Sequence, residues 1–344
     1  YFLFITFYLT TFHASAMMPY QHPHILLTLT LTLSWVCLFI SPCFAQLSTT
    51  QLDAVEDLYI ATSGFEASSW DLKCKKQWDF TPKYAHDPCL EGWYGITCND
   101  QNTSVTHVVL RECGLLGSLP SSLGDLIDLH TFNVSRNTLT GSVPDAVTSM
   151  TKLRILDVSF NQLNGSLPPA MTSLRTLNLY NNAFSGPFHE SWTSMVNLES
   201  LNVSHNSLTG EIPQDIGLMR SLRKIYLSNN HFTSTVPTSI YENIPNLEHL
   251  SLHNNQFTGY VSPEIYKLGR LTDIDLSHNQ LSGEIPGVNV STKNLTPFRH
   301  IYLSDNQFTS TIPTIFGALD SLILLDLSSN FLGGQVCSTT VRAL

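Results

Sequence analysis

The segment Leu198 to Pro213, LESLNVSHNSLTGEIP, constrains this chain more than any other feature, because its spacing returns about every two dozen residues. Leu198, Leu201, Val203, Asn206, Leu208, Gly210, Ile212 and Pro213 mark the pattern. Following the asparagine gives ten turns: Cys113 in its place, then Asn137, Asn161, Asn182, Asn206, Asn230, Asn255, Asn279, Asn306 and Asn330. Each turn predicts a short strand whose alternate residues point inward, as Leu201 and Val203 do, while Asn202 and Ser204 point out. A single turn cannot bury its apolar side alone, so the turns are expected to stack into a solenoid with one parallel sheet. A buried asparagine amide has two donors and an acceptor for the backbone groups of the bend after the strand, which predicts a ladder.

LTGSVP (Leu139 to Pro144), LNGSLP (Leu163 to Pro168), LTGEIP (Leu208 to Pro213) and LSGEIP (Leu281 to Pro286) resemble the plant-type leucine-rich repeat. That repeat is found in receptor-like kinase ectodomains and polygalacturonase-inhibiting proteins. The resemblance implies an α/β solenoid, a right-handed superhelix with a parallel concave sheet and a helical, disulfide-bearing amino-terminal cap. It assigns residues 46–104 to the cap and 105–337 to ten repeats. DPCLEGWYGITC, Asp87 to Cys98, resembles the family's cap motif, in which the two cysteines are bonded, so Cys89 with Cys98 is the implied disulfide.

Within the cap, Ser48 and Gln51 read as a capping box, and Leu52, Val55, Leu58 and Tyr59 mark one apolar helical face. Trp70, Trp78 and Trp93 are expected to cover the end of the first turn. Cys113 is expected to be buried and reduced, and Cys74 has no obvious partner. Cys337 lies roughly 43 Å from Cys74 at about 4.8 Å per strand, too far to pair.

The 17 Lys and Arg and the 27 Asp and Glu all lie beyond Ala45, giving a net charge of −10. Phosphate binding needs clustered cations, so no nucleic-acid partner is expected. Residues 17–45 read as a cleaved export signal, with an apolar run Ile25 to Ile40, behind an upstream segment 1–16. The tail 338–344 supplies no closing cap, which predicts a truncated carboxy-terminal end. Attachment to a membrane is then expected through a missing carboxy-terminal segment or an uncleaved amino-terminal one. Sequons at Asn102, Asn133, Asn164, Asn202, Asn289 and Asn294 support a glycoprotein that is secreted or lies on the outer side of the plasma membrane.

Two intervals break the period. Asn161 to Asn182 is short, and Asn279 to Asn306 is long, with a protruding loop from Gly287 to Pro297. Asn133 and Asn202 occupy the same outward strand position, so glycans on both would leave the concave surface open mainly in turns six to nine. There, outward rows read Lys224, His249, Asp273, His300, then Tyr226, Ser251, Asp275, Tyr302, and a third holds Ser228, His253, Ser277 and Ser304. Tyrosine supplies large contact area with a polar tip, and the expected ligand patch is Tyr226, His249, His253, Asp273 and Tyr302. Ser277, His278 and Asp275 spell a hydrolase triad, but neighbouring strand residues face apart, so no catalytic site is expected. His249, Asp273 and His300 lack a further metal ligand, so neither metal nor cofactor is expected. The chain therefore reads as a recognition module for a protein, peptide or glycan, either a receptor or co-receptor ectodomain or a free secreted binding or inhibitor protein.

Overall fold

The computed structural model describes residues 47–334 apart from 65, 67–69, 83 and 288–295. The export signal with its upstream segment, the loop bearing Asn289 and Asn294, and the tail with Cys337 lie outside the described residues. Everything below concerns the compact unit Gln46–Leu344.

Three residues of each turn form a strand, and among the described residues these strands build an eleven-stranded sheet in chain order. Ser200–Asn202 pairs in parallel with Thr176–Asn178 on one side and Lys224–Tyr226 on the other, each residue beside its equivalent. Leu198, Leu201, Val203 and Leu208 are fully buried beneath, and Ile216 joins them from the opposite wall. Removing such a side chain from water stabilises the fold by roughly 1.5–3 kcal/mol. That opposite wall is mostly single 3₁₀ turns such as Gln214–Leu218, with one six-residue α-helix, Thr238–Asn243. The short interval between Asn161 and Asn182 keeps its ladder asparagine. There, fully buried Trp192 of the following turn donates its indole N–H to Pro168 O at 2.7 Å.

The asparagine amides bond across turns as well as within them. Asn230 Nδ2 donates to Leu227 O (3.1 Å) and Ser228 O (3.2 Å) of its own turn and to Val203 O (3.0 Å) of the preceding one. Its Oδ1 accepts from Leu208 N at 3.0 Å. Asn137 does the same work for the first turn, accepting from both Cys113 N and Leu115 N at 3.0 Å. The residue before each ladder position is left-handed, with φ between 52° and 57° from Glu112 to Ser329.

This bend limits the alternation of side chains to three residues. Ser204, and Ser228, Ser277 and Ser304 of the third row, lie low on the concave side, 2–6% exposed, with hydroxyls turned to neighbouring outward residues, as Ser228 Oγ is to Ser251 Oγ at 2.6 Å. The strand has ended by then, and the rotated hydroxyl folds back, Ser277 Oγ donating to Asp275 Oδ1 at 2.6 Å. His253 of that row stays half-buried.

The cap helix α1, Thr49–Ala61, buries Leu52, Val55, Leu58 and Tyr59. Only half of the capping box forms. Ser48 Oγ accepts from Gln51 N at 3.3 Å, whereas Gln51 Oε1 accepts from Val105 N at 2.9 Å in the second strand of the sheet. Trp70, Trp78 and Trp93 are 1–5% exposed and meet edge-on or tilted, with centroids of Trp70–Trp78 at 4.8 Å and Trp78–Trp93 at 5.5 Å. Gly117 is required where turn one meets the end of α1: its φ is +89°, and a Cβ there would stand 2.2 Å from Ala61 O.

Cys89 and Cys98 are bonded, and so are Cys74 and Cys113, which corrects the expectation that Cys113 is reduced and Cys74 without a partner. The first turn has no preceding turn for an amide to bridge. Instead the cap segment carrying Cys74 packs there, with Asp71 N donating to Cys113 O at 2.8 Å.

Asn230→Ala is expected to lower the thermal midpoint, since each peptide group left unpaired costs about 1–3 kcal/mol; an unchanged midpoint in calorimetry would remove that rung from the argument. Replacing Cys74 and Cys113 together by Ala opens a loop with a sequence separation of 39. By the chain-entropy relation it costs about 4 kcal/mol, so the denaturant midpoint should fall clearly below that of the parent protein.

Candidate functional site

The register converts sequence columns into neighbours. Lys224, His249, Asp273 and His300 lie side by side on successive strands, as do Tyr226, Ser251, Asp275 and Tyr302. In the first row Asp273 stands between two imidazoles, with His249 Nδ1 at 3.1 Å from Oδ2 and His300 Nδ1 at 2.5 Å from Oδ1. Thr272 Oγ1 donates to the same carboxylate at 2.5 Å. Tyr226 stacks on His249 at 6.4 Å between centroids, and Tyr302 on His300 at 6.5 Å. Tyr226, His249, Asp273, His300 and Tyr302 thus form one unbroken strip of contacts over turns six to nine. All five are half-buried.

Burial raises the Asp273 carboxyl, but hydrogen bonds from Thr272 and His300 and the charges of His249 and His300 outweigh it and hold it below its ordinary value. Burial, followed by the charges of Asp273 and Glu248, pushes the Tyr226 phenol up. The strip therefore offers an ionised carboxylate and a phenol O–H that stays protonated well above neutral pH.

His253 belongs to a second cluster. Its Nδ1 lies 3.0 Å from Asp275 Oδ2 and 3.1 Å from Ser251 Oγ, while Asn229 Nδ2 sits 2.9 Å from its Nε2. With the amide donating to Nε2, this network fits the Nδ1–H tautomer. Of the five expected patch residues the structure joins Tyr226, His249, Asp273 and Tyr302 through His300, which was not among them. It sets His253 beside Asp275. Ser277 gives its hydroxyl to Asp275, while His278 lies 3.4 Å from Asp305, so the three triad letters do not converge. Both imidazoles of the first row spend Nδ1 on Asp273, and among the described residues no three His, Cys, Asp or Glu side chains gather as metal ligands do.

A second aromatic line escaped the sequence reading. The Arg136 guanidinium lies 4.2 Å from the Phe160 ring centre, Phe160 is 4.9 Å from Tyr180, and Tyr180 is 4.9 Å from His205. Arg136, Phe160 and His205 share the column just before the ladder asparagine while Tyr180 comes from the column before it, so no single row displays all four. A cup of about 270 Å³ joins the two regions, lined by Tyr180, Asn202, His205, Tyr226 and His253 over Ser204, Ser228 and Ser251. The Asn202 side chain, Oδ1 accepting from Ser204 N at 3.1 Å, stands at its edge.

For Asp275, burial raises the carboxyl, yet hydrogen bonds from His253 and Ser277 prevail and lower it. A carboxyl held below its unfolded value of about 3.9 contributes stability above that value and loses it as pH falls through the folded one. Asp275→Asn is therefore expected to lower the melting midpoint near neutral pH and to flatten its decline below about pH 4. Melting curves measured across that range decide it, and parallel profiles for parent and variant would contradict the assignment.

Comparison with known proteins places this geometry. A leucine rich repeat family model matches residues 172–232 and 220–281, and a second matches 152–174 and 298–319. The chain is 32% identical over 85 residues to a probable leucine-rich repeat receptor-like protein kinase of Arabidopsis thaliana, a match covering 24% of this chain and 9% of that protein. It is similar to the solved PEPR1–AtPEP1 structure, with 28% identity and a TM-score of 0.72 over 83% of this chain and 42% of the other. It is also similar to the plant peptide hormone receptor RGFR1 in complex with RGF2, at 26% identity and a TM-score of 0.55 over 67% of this chain and 45% of the other. The chain spans less than half of either solved chain and under a tenth of the kinase. Repeat, register and relatives agree: residues 152–281 and 298–319 match leucine-rich repeats, and the chain is similar to plant leucine-rich-repeat proteins.

Proposed function

We propose that the concave face of turns six to nine binds a peptide on the outer side of the plasma membrane, this chain forming the ligand-reading ectodomain of a cell-surface receptor or co-receptor. The observation that carries the reading is the strip from Tyr226 to Tyr302, where two tyrosines flank an imidazole–carboxylate–imidazole group on a rigid sheet. Aromatic side chains on an ordered scaffold give large contact area at small entropic cost, and a central ionised carboxylate selects donors in the partner. Support comes from the similarity to the PEPR1 and RGFR1 structures, of which the latter is a peptide hormone receptor bound to its ligand. In this reading glycans on Asn133 and Asn202 border the site. The protein binds and presents its ligand; the patch holds no group poised for bond making.

A phage-displayed random peptide library panned on the purified protein tests this. Clones retained by the parent protein are expected to be lost on Tyr226→Ala, with at least about tenfold weaker binding, as for an aromatic hot spot, and with an unaltered melting curve. Recovery of no clones, or of clones indifferent to Tyr226, would remove the patch as a peptide site.

A further inference from the structure

Phe160 is held in the left-handed region at φ 53°, a conformation that costs a bulky side chain more than it costs Asn, Asp or His. The equivalent positions of the next six turns carry the tolerant types, Asn181, His205, Asn229, Asn254, His278 and Asp305, and the last carries the small Ser329. The fold asks for the bend and not for the ring. Nor is the ring core, since it lies half-buried on the surface between Arg136 and Tyr180. A residue that strains its backbone to display an aromatic face is a feature of ligand clamps.

The line continues at a fixed interval. Phe160, Tyr180 and His205 follow one another at 4.9 Å, one ring per turn, and the cup carries the line on to Tyr226. Successive strands are about 4.8 Å apart, so two turns advance about 9.6 Å. A polyproline-II helix rises about 3.1 Å per residue with three residues per turn, so its repeat is about 9.3 Å. Prolines at i and i+3 of such a helix therefore fall over rings two turns apart, Phe160 with His205 or Tyr180 with Tyr226. No sheet pairing is needed, because the concave strands have already used their backbone groups on each other.

We propose that the Arg136–Phe160–Tyr180–His205 stack is a docking track for a peptide segment in polyproline-II conformation with prolines three residues apart. The inference rests on the reading that the concave face takes a peptide, and it extends that site from turn six back to turn two. Aromatic ridges bind this helix by packing against the flat faces of its rings, at small entropic cost because the helix is already formed in solution. Asn202 lies beside Tyr226 on the neighbouring strand and lines the cup, so the track from Tyr180 to Tyr226 is open where Asn202 carries no glycan.

The test uses the purified protein and a fluorescein-labelled oligoproline of about twelve residues, long enough at ~3.1 Å each to reach from turn two to turn nine. A Gly-Ser peptide of equal length serves as the control. The parent protein is expected to bind the oligoproline and not the control. Phe160→Asn is expected to weaken oligoproline binding by about tenfold while melting at the same or a higher temperature, a combination that a merely structural ring does not give. Tyr180→Ala is expected to weaken it as well. Equal affinity in parent and Phe160→Asn, or no binding by the parent, overturns the proposal; so does a preference for a β-linked glucose oligomer over the oligoproline, which assigns the track to carbohydrate. If library clones depend on Tyr226 while oligoproline ignores Phe160, the peptide site stands and only its extension falls.

Discussion

One side-chain amide sets the geometry of the molecule. In every turn from the second to the tenth the ladder asparagine donates to carbonyls of its own bend and to one in the turn before, and its oxygen accepts from a backbone N–H of that earlier turn. A single planar group thereby fixes both the shape of the bend and the distance to its neighbour. Buried peptide groups tolerate no other partner at that place, since water is excluded and an orphaned donor or acceptor carries its full desolvation cost. The left-handed residue ahead of each asparagine is the backbone's part of the same arrangement.

Because the step is fixed, the concave wall reads like a grid. Each column of the repeat becomes a row in space, so chemistry scattered at intervals of about two dozen residues is gathered side by side. Asp273 meets His249 and His300 for this reason, and the carboxylate is held ionised by the adjacent Thr272 hydroxyl together with these two imidazoles from distant turns. The ladder and the buried leucines do not depend on these outward residues, which leaves most of them open to be chosen for a partner.

What could be read from the chain beforehand follows the same division. The ladder, the buried leucines and the lateral neighbours of Tyr226 and His249 were legible because they recur at constant offsets. Cys113 was not, because its place in the pattern implied the role of an asparagine, while its real environment comes from a cap that obeys no period and brings Cys74 to it. Gln51 escaped for a similar reason: local spacing pointed to Ser48, but a long-range donor, Val105 N, took its oxygen. The serines of the third row are less exposed than a period of two implies, because the strand ends after three residues and their hydroxyls turn to neighbouring side chains. Phe160, Tyr180 and His205 were invisible to column-by-column reading, since their contacts run diagonally between adjacent columns.

The margin of the sheet at the cap has a consequence for assembly. Ile96–Cys98 lies antiparallel to Val105–Val109, whereas every later pair in that sheet is parallel. A stack of identical coils is in principle an invitation to head-to-tail polymerisation, each molecule extending the ladder of the last. Reversing one strand, tying its end through Cys89–Cys98 and roofing it with indoles gives that pole a hydrogen-bonding pattern that no incoming coil can continue, so at this pole the molecule is protected from growing into a fibre.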